Sequence, residues 1–153
     1  MKLHLQNTFI GTVGIAEHDG CITNLYFEQD KLPVGIERGE TTGLHEAFRQ
    51  LNSYLEGNLT TFSLPLAPAG TPFMRAVWQF LSTIPYGATA SYRDVAVSIG
   101  NPLAARAVGM ANHRNPLPIL IPCHRVIGKD GKLTGYRGGL RLKKMLLDLE
   151  RGV

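Results

Sequence analysis

Hydrophobic and polar positions in the first third of the chain predict strands followed by one helix. Two strand-like runs, Phe9 to Ala16 and Cys21 to Phe27, flank the turn-prone residues 17–20, and this arrangement favours a β-hairpin. Between residues 44 and 55, leucine or phenylalanine recurs at every third or fourth position. That spacing predicts an amphipathic helix, which we expect to end at Gly57.

The segment 64–72 separates this region from the rest of the chain. It holds three prolines in nine residues, and each proline biases the residue before it away from helix. We therefore interpret the segment as a linker or an extended crossover. A domain boundary near Gly70 follows, with a first domain over residues 1–70 and a second over residues 71–153.

The second domain opens with two helix-start signals. Thr71 with a proline after it is an N-cap with proline at the first helical position, and it predicts a helix through Leu81. Ser91 with an aspartate three residues later is a capping-box pattern, which predicts a short helix that ends at Gly100.

A further helix is predicted directly afterwards, because Asn101 is again followed by a proline. This signal places the helix from Leu103 to about Asn112. Helix, tight turn and helix in this order are typical of a helix-turn-helix. A last helix is predicted from Leu140 to Arg151.

The second helix of this pair has an unusual surface, since Arg106 is its only charge and small residues surround it. Small residues let a backbone or a groove approach closely, whereas a large side chain would hold a partner away. They also pack simply against the rest of a domain, and both interpretations stay open at this point. The small positions are Ala104, Ala105, Ala107, Gly109 and Ala111.

Composition is that of a folded globular protein. The chain has 153 residues, of which 44% are hydrophobic and 18% are charged. These values exclude global disorder and fit one ordinary domain or two small ones. No apolar run reaches the roughly 18 to 20 residues needed to cross a bilayer, and the first residues lack the features of a secretory signal. We expect a cytoplasmic protein without a membrane partner.

The charge changes sign near the expected domain boundary. Residues 1–74 contain four Lys and Arg against eight Asp and Glu, whereas residues 75–153 contain twelve against four. A cationic half of this strength favours a polyanionic partner, with nucleic acid first and an anionic membrane second.

Cys21 and Cys123 are the two cysteines of the chain, too few for a disulfide scaffold or for a four-ligand zinc site of paired spacing. Cys21 lies in an apolar strand without a basic neighbour, so we interpret it as a small hydrophobic residue. Cys123 follows a proline-broken apolar segment and precedes His124 and Arg125. Imidazole and guanidinium neighbours lower the pKa of a thiol, and this setting predicts a nucleophilic thiolate.

The sequence around this cysteine carries a family resemblance. The string from Pro122 to Val126, with Asn115-Pro116 upstream and Arg106 to Gly109 before it, resembles the 6-O-alkylguanine-DNA alkyltransferases. The resemblance covers the second half of the chain, whereas the first half matches only in size and in its strand-then-helix plan. It includes the pairs Ser91-Tyr92, Asn101-Pro102, Gly135-Tyr136 and Gly138-Gly139.

The resemblance implies an α+β fold, in which a small ribonuclease H-like domain of β-sheet plus helix precedes a mostly helical winged helix-turn-helix domain. It also implies DNA repair by one irreversible transfer of an alkyl group from the 6-oxygen of guanine to the protein's own cysteine. A thioether has no easy leaving group, so turnover is not expected. No cofactor and no metal are expected, because a thiolate needs neither for this displacement.

The same resemblance assigns roles around the thiol. Cys123 would be the alkyl acceptor, His124 would take its proton through a bridging water, and Glu150 would hold the other imidazole nitrogen. Position in the sequence alone makes Glu150 a surface charge beside Arg151.

Two further catalytic residues are implied, each with an ordinary alternative. Asn115 would join the helix-turn-helix to the active-site segment, and it is also a plain Asn-Pro turn former. Tyr92 would donate a hydrogen bond or a proton to the minor-groove-edge nitrogen of guanine. An aromatic residue at a helix start also packs on a core.

The remaining implied residues would bind the base. Tyr136 would close over it, and the backbone amide of Arg137 would approach the 6-oxygen. The carbonyls of Cys123 and Val126 would accept hydrogen bonds from the exocyclic amine, and Pro118 completes the implied substrate-binding set.

The implied partner is double-stranded DNA containing 6-O-alkylguanine, bound by a monomer. A stacked base cannot reach a buried cysteine, so it must be extruded at a cost of a few kcal/mol, and Arg106 would fill its place. The family lays this helix in the minor groove, about 6 Å wide, where Ala104, Ala105, Ala107 and Gly109 would face DNA. Binding would then depend steeply on salt and little on base sequence.

Two other functions stay open on the residues alone. One is a lesion-binding module that recruits excision repair without transfer, although such proteins replace the acceptor cysteine. The other is a winged-helix regulator with Cys123 as a redox sensor, which would require sequence-specific DNA binding.

Overall fold

A computed structural model describes residues 1–153, and its packing divides the chain into two compact units, Met1–Ala69 and Gly70–Val153. Buried apolar side chains occur in both units. None of the helices is long and apolar enough to span a membrane.

The first unit consists of a four-stranded sheet and one helix. The elements are β1 (Lys2–Thr8), β2 (Gly11–His18), β3 (Cys21–Tyr26), β4 (Glu37–Arg38) and α1 (Thr42–Leu55). The strand order is β3-β2-β1-β4, and β2 pairs antiparallel with both of its neighbours. β1 and β4 run parallel.

The predicted hairpin is confirmed between β2 and β3. Asp19 and Gly20 form its turn, and their φ angles of 49° and 80° are typical of the type I′ turns that suit tight hairpins. β2 begins at Gly11 rather than at Phe9, because residues 9–10 form the turn from β1. β1 itself was not predicted, although leucine alternates with polar residues through it as a strand requires.

α1 lies where the hydrophobic spacing predicts it. The Thr41 hydroxyl accepts a hydrogen bond from the Leu44 amide at 3.0 Å and so satisfies one of the free amides at the helix start. Gly57, with a φ of 82°, follows its end. The predicted apolar face is buried, and it comprises Leu44, Phe48, Leu51 and Leu55.

The proline-rich segment after α1 lies extended along β3. The Ile22 amide donates to the Pro65 carbonyl at 2.8 Å, and the Ala67 amide donates to the Ile22 carbonyl at 2.9 Å. The extended crossover that the prolines predict is therefore present.

The second unit is mostly helical. Thr71 and Ser91 cap its first two helices as predicted, since each hydroxyl accepts from the amide three residues later, at 3.2 and 3.0 Å. Its elements are α2 (Pro72–Leu81), β5 (Ala90–Ser91), α3 (Tyr92–Ser98), α4 (Ala105–His113), β6 (Val126–Ile127) and α5 (Leu140–Arg151). β5 and β6 form a short parallel pair.

The start of α4 differs from its prediction. The helix begins at Ala105 rather than at Leu103, and Asn101 does not cap it. Instead, the Asn101 carbonyl accepts a hydrogen bond from the Ala104 amide at 3.0 Å and closes a turn. Asn-Pro is as good a turn signal as a helix-start signal, and here the turn leaves Leu103 95% exposed.

Trp78 fixes α4 against α2. The indole is 2% exposed, and its Nε1 donates to the Ala111 carbonyl near the end of α4 at 2.8 Å. A buried indole N–H needs such a partner, so one side chain provides both apolar contact and a directional bond between the two helices.

We expect Trp78→Ala to lower the free energy of unfolding by about 3–5 kcal/mol, because it leaves a cavity and removes the donor to Ala111. Denaturation followed by circular dichroism measures this. The matched control is Leu103→Ala in the same unit, where the exposed side chain predicts a change below about 0.5 kcal/mol. Equal losses in the two variants would contradict the role given to Trp78.

Candidate active site

The loop before Cys123 is folded around the side chain of Asn115. Its Nδ2 donates to the Ile121 carbonyl at 2.9 Å, and its Oδ1 accepts from the Leu117 amide at 2.9 Å. Ile119 adopts a φ of 73° within this loop, a conformation that a β-branched residue rarely takes. The bonds of Asn115 hold the bend and deliver Cys123 at the start of a single 3₁₀ turn, Cys123–Arg125.

The thiol of Cys123 is buried, with 3% of the residue exposed. Burial raises its pKa, while a hydrogen bond with Asn115 and the positive charges of Lys143 and Arg137 oppose that rise. The prediction of a lowered thiol pKa is therefore wrong for this structure. That prediction assumed that the guanidinium of the neighbouring Arg125 acts on the thiol, but this guanidinium is bonded to Glu150 instead.

Glu150 lies at the centre of a buried polar cluster. Its Oε2 is 2.7 Å from His124 Nε2, and its two oxygens accept from Arg125 Nε at 2.7 Å and Nη2 at 3.0 Å. Arg125 also donates from Nη1 to the Ile84 carbonyl at 2.7 Å. The Glu150 side chain is fully buried, so the surface position that its place in the sequence suggested is wrong.

A signal for this burial was present in the sequence. Lys143, Leu146, Leu147 and Glu150 follow the i, i+3, i+4, i+7 spacing of one helix face, and that face of α5 is buried. Two charged residues on the apolar face of a helix are uncommon enough to mark a site.

His124 is buried completely, and burial lowers its pKa, with the hydrogen bond that the imidazole makes to the Glu150 carboxylate acting in the opposite direction. The imidazole is therefore neutral near pH 7. As the pH falls, the imidazole of the unfolded chain is protonated before that of the folded protein. His124 therefore lowers the free energy of unfolding below about pH 6.5 and does not change it above that pH.

Two buried polar residues of the site were not predicted. The ammonium of Lys143 donates to the Val126 carbonyl at 2.7 Å and to the Thr134 carbonyl at 3.1 Å, and burial lowers its pKa. Asn112, in the last turn of α4, donates from Nδ2 to the Cys123 carbonyl at 3.2 Å. No motif predicts the partners of either residue, since only the packing of α4 and α5 brings them to the Cys123 segment.

A small pocket opens at the thiol and brings together five of the predicted residues. Arg137 borders it and donates from Nη2 to the Asn115 carbonyl at 3.5 Å. Tyr92 and Val126 do not line it, and the Tyr92 hydroxyl is hydrogen-bonded to the Thr134 hydroxyl at 2.6 Å. The lining residues are Asn112, His113, Asn115, Pro118, Cys123, Gly135, Tyr136 and Arg137.

The predicted DNA-facing residues lie at the start of α4. Arg106 and Ala107 are exposed, whereas Ala104, Ala105 and Gly109 are half-buried. Asn112, a pocket residue near the other end of the helix, lies six positions after Arg106, which corresponds to about 9 Å along the axis. Arg106 is thus an exposed cation among small residues that are exposed or half-buried.

The two units match two parts of one protein family. Residues 72–152 match the family described as "6-O-methylguanine DNA methyltransferase, DNA binding domain", and residues 1–68 match "6-O-methylguanine DNA methyltransferase, ribonuclease-like domain". The chain belongs to the 6-O-methylguanine DNA methyltransferase family. The predicted α+β class, with a sheet domain before a helical domain, is confirmed.

Individual relatives agree over nearly the whole chain. A methylated-DNA–protein-cysteine methyltransferase of Methanosarcina barkeri is 61% identical over 144 residues, which is 92% of this chain and 91% of the relative. The constitutive enzyme of that name from Bacillus subtilis is 48% identical over 151 residues, covering 94% and 92%. The crystal structure of Mycobacterium tuberculosis OGT in complex with DNA matches with a TM-score of 0.94 at 44% identity, covering 99% and 94%.

We expect Glu150→Gln to lower the free energy of unfolding by about 3–5 kcal/mol, because it leaves the Arg125 charge buried without its partner. Thermal or chemical unfolding measures the change. Asp148→Asn on the same helix is the matched control. Its carboxylate pairs with the exposed Lys144, so its loss should cost less than about 1 kcal/mol. Similar costs for both variants would show that the cluster does not stabilise the fold.

Proposed function

We propose that this protein repairs DNA by moving the alkyl group of 6-O-alkylguanine in duplex DNA to Sγ of Cys123. Family membership and the names of its relatives support repair by transfer to a cysteine. The observation that carries the proposal is the placement of Cys123, which lines a small pocket and directly precedes the buried His124, whose imidazole is paired with Glu150.

The proposed step is a displacement at the alkyl carbon. A bond forms between that carbon and Cys123 Sγ, and the bond from the carbon to the 6-oxygen of guanine breaks. Guanine leaves with the electron pair of that bond and takes up a proton. The product thioether has no easy leaving group, so each molecule reacts once.

The geometry supports His124 as the base that removes the thiol proton. Burial keeps the thiol protonated and the imidazole neutral, so proton transfer between them is needed and the imidazole is in the state that can accept it. Glu150 occupies Nε2, which makes Nδ1 the accepting nitrogen, through a bridging water. The carboxylate would then stabilise the imidazolium.

The charges of Lys143 and Arg137 favour the thiolate once it forms, because both lower the Cys123 pKa. Tyr136, Pro118 and the Arg137 amide would hold the base, and Asn115 would keep the thiol segment in its bend. Val126 would contribute its carbonyl. Tyr92 would assist guanine departure, with its hydroxyl oriented by Thr134. No cofactor or metal takes part in this scheme.

We further propose that α4 enters the minor groove and that Arg106 replaces the extruded base. The exposed cation, the small residues around it and the twelve Lys and Arg of residues 75–153 support this arrangement. The DNA complex of the Mycobacterium tuberculosis relative supports DNA as the partner. We propose that the protein acts as a monomer in the cytoplasm and that its domain boundary lies near Gly70.

Mixing the protein with duplex DNA containing one 6-O-methylguanine tests the transfer directly. We expect the DNA to lose the methyl group and the peptide with Cys123 to gain it, as measured by mass spectrometry. Cys123→Ala should abolish transfer and keep DNA binding, whereas Cys21→Ser should change neither. Loss of the methyl group from DNA without its gain at Cys123 would refute the proposal, and binding without transfer would indicate a lesion-binding module.

Arg106→Ala separates base extrusion from chemistry. We expect repair of duplex DNA to slow by roughly 10- to 100-fold. A change of this size corresponds to part of the few kcal/mol that base extrusion costs, which Arg106 would no longer offset. Reaction with the free base 6-O-benzylguanine should stay within about two-fold, because a free base needs no extrusion. Arg38→Ala, an exposed arginine of the first unit, is the control. Equal losses on duplex and free base would exclude the extrusion role.

A further inference from the structure

Asn112 lies directly against the reactive residue, although no chemistry has been assigned to it. The residue is 4% exposed, and its Nδ2 donates to the backbone carbonyl of Cys123 at 3.2 Å. It also lines the pocket at the thiol together with Tyr136 and Arg137.

The orientation of this amide is determined by the Cys123 carbonyl. Turning the amide over would place Oδ1 against another acceptor, and two acceptors repel each other. Oδ1 therefore points away from the carbonyl, where it is buried and has no hydrogen-bond partner within the protein. Buried acceptors are nearly always satisfied, because an unsatisfied one destabilises the fold. We therefore expect the substrate to supply the donor for Asn112 Oδ1.

The chemistry of the substrate identifies that donor. Alkylation at the 6-oxygen leaves N1 of guanine without a hydrogen, so the exocyclic 2-amino group carries the only N–H bonds of the base. The other carbonyl proposed to accept from this amine, that of Val126, already accepts from Lys143 at 2.7 Å. Each of the two carbonyls is thus held by one buried donor, and Asn112 adds an acceptor of its own.

We propose that Asn112 is a positioning and specificity-determining residue for the 2-amino group of the alkylated guanine. Its Nδ2 holds the Cys123 carbonyl in place to accept from the amine, and its Oδ1 provides a further acceptor for the same group. This inference rests on the proposed function, because it concerns the base that delivers the alkyl group.

The test compares two substrates that differ only in the 2-amino group. Duplexes with one 6-O-methylguanine or one 6-O-methylhypoxanthine are reacted with excess protein, and the single-turnover rate constants are measured. The variant is Asn112→Leu, which keeps the approximate size and removes both polar atoms. Gln79→Leu makes the same type of change at an exposed position of α2 and serves as the control.

We expect wild-type protein and Gln79→Leu to prefer 6-O-methylguanine. In Asn112→Leu, transfer from 6-O-methylguanine should slow by roughly ten-fold, the effect of losing one or two hydrogen bonds. Transfer from 6-O-methylhypoxanthine should change by less than about two-fold, so the preference falls toward one. Circular dichroism confirms folding, and Asn112→Ala replaces the variant if leucine does not fit.

The other outcomes overturn the inference in distinguishable ways. Equal slowing on both substrates would mean that Asn112 only supports the structure of the loop. An unchanged preference in the variant, or no preference in the wild type, would mean that Asn112 does not recognise the amine. If the wild-type protein transferred methyl from neither duplex, the proposed function itself would fail and the inference with it.

Discussion

The buried carboxylate of Glu150 is the interaction on which the reactive unit depends. An ionised carboxylate leaves water only where donors replace its hydration, and here the donors come from His124, Arg125 and the Gly87 amide, the last at 3.3 Å. These donors belong to the turn after Cys123 and to the loop after α2, while Glu150 belongs to α5. One carboxylate therefore joins three segments that are distant in the sequence, at the residue that follows Cys123.

Burial sets the protonation states of the site before any substrate binds. It keeps the Cys123 thiol protonated and the His124 imidazole neutral, which protects a reactive cysteine from indiscriminate alkylation. The charges of Lys143 and Arg137 oppose the rise in the thiol pKa. The thiolate is therefore disfavoured by burial before the reaction, and these two charges stabilise it once it forms. Under the proposed function the site reacts only once, and this order then prevents a wasted reaction that would consume the protein.

α4 connects the outer surface to the reactive centre. Arg106 protrudes at its start, and Asn112 reaches the Cys123 carbonyl at its end, while the Trp78 bond to Ala111 fixes the helix between these positions. A shift of this helix would move the arginine and the acceptor residue together. The proposed DNA contact and the proposed base recognition would therefore be linked through one helix rather than through a flexible loop.

Local features of the sequence determined most elements and the reactive residue. The caps at Thr71 and Ser91 and the spacing of leucines in α1 act within a few residues, so they are readable without the fold. The string around Cys123 likewise predicted the thiol and the histidine that the proposed function uses. The beginning of α4, the raised thiol pKa and the roles of Glu150, Lys143 and Asn112 were decided only by tertiary structure. Those properties depend on which side chains share one buried space. The spacing along α5 indicates that Lys143 and Glu150 are buried, but pairing across 11 to 26 positions of sequence leaves no local pattern that identifies their partners.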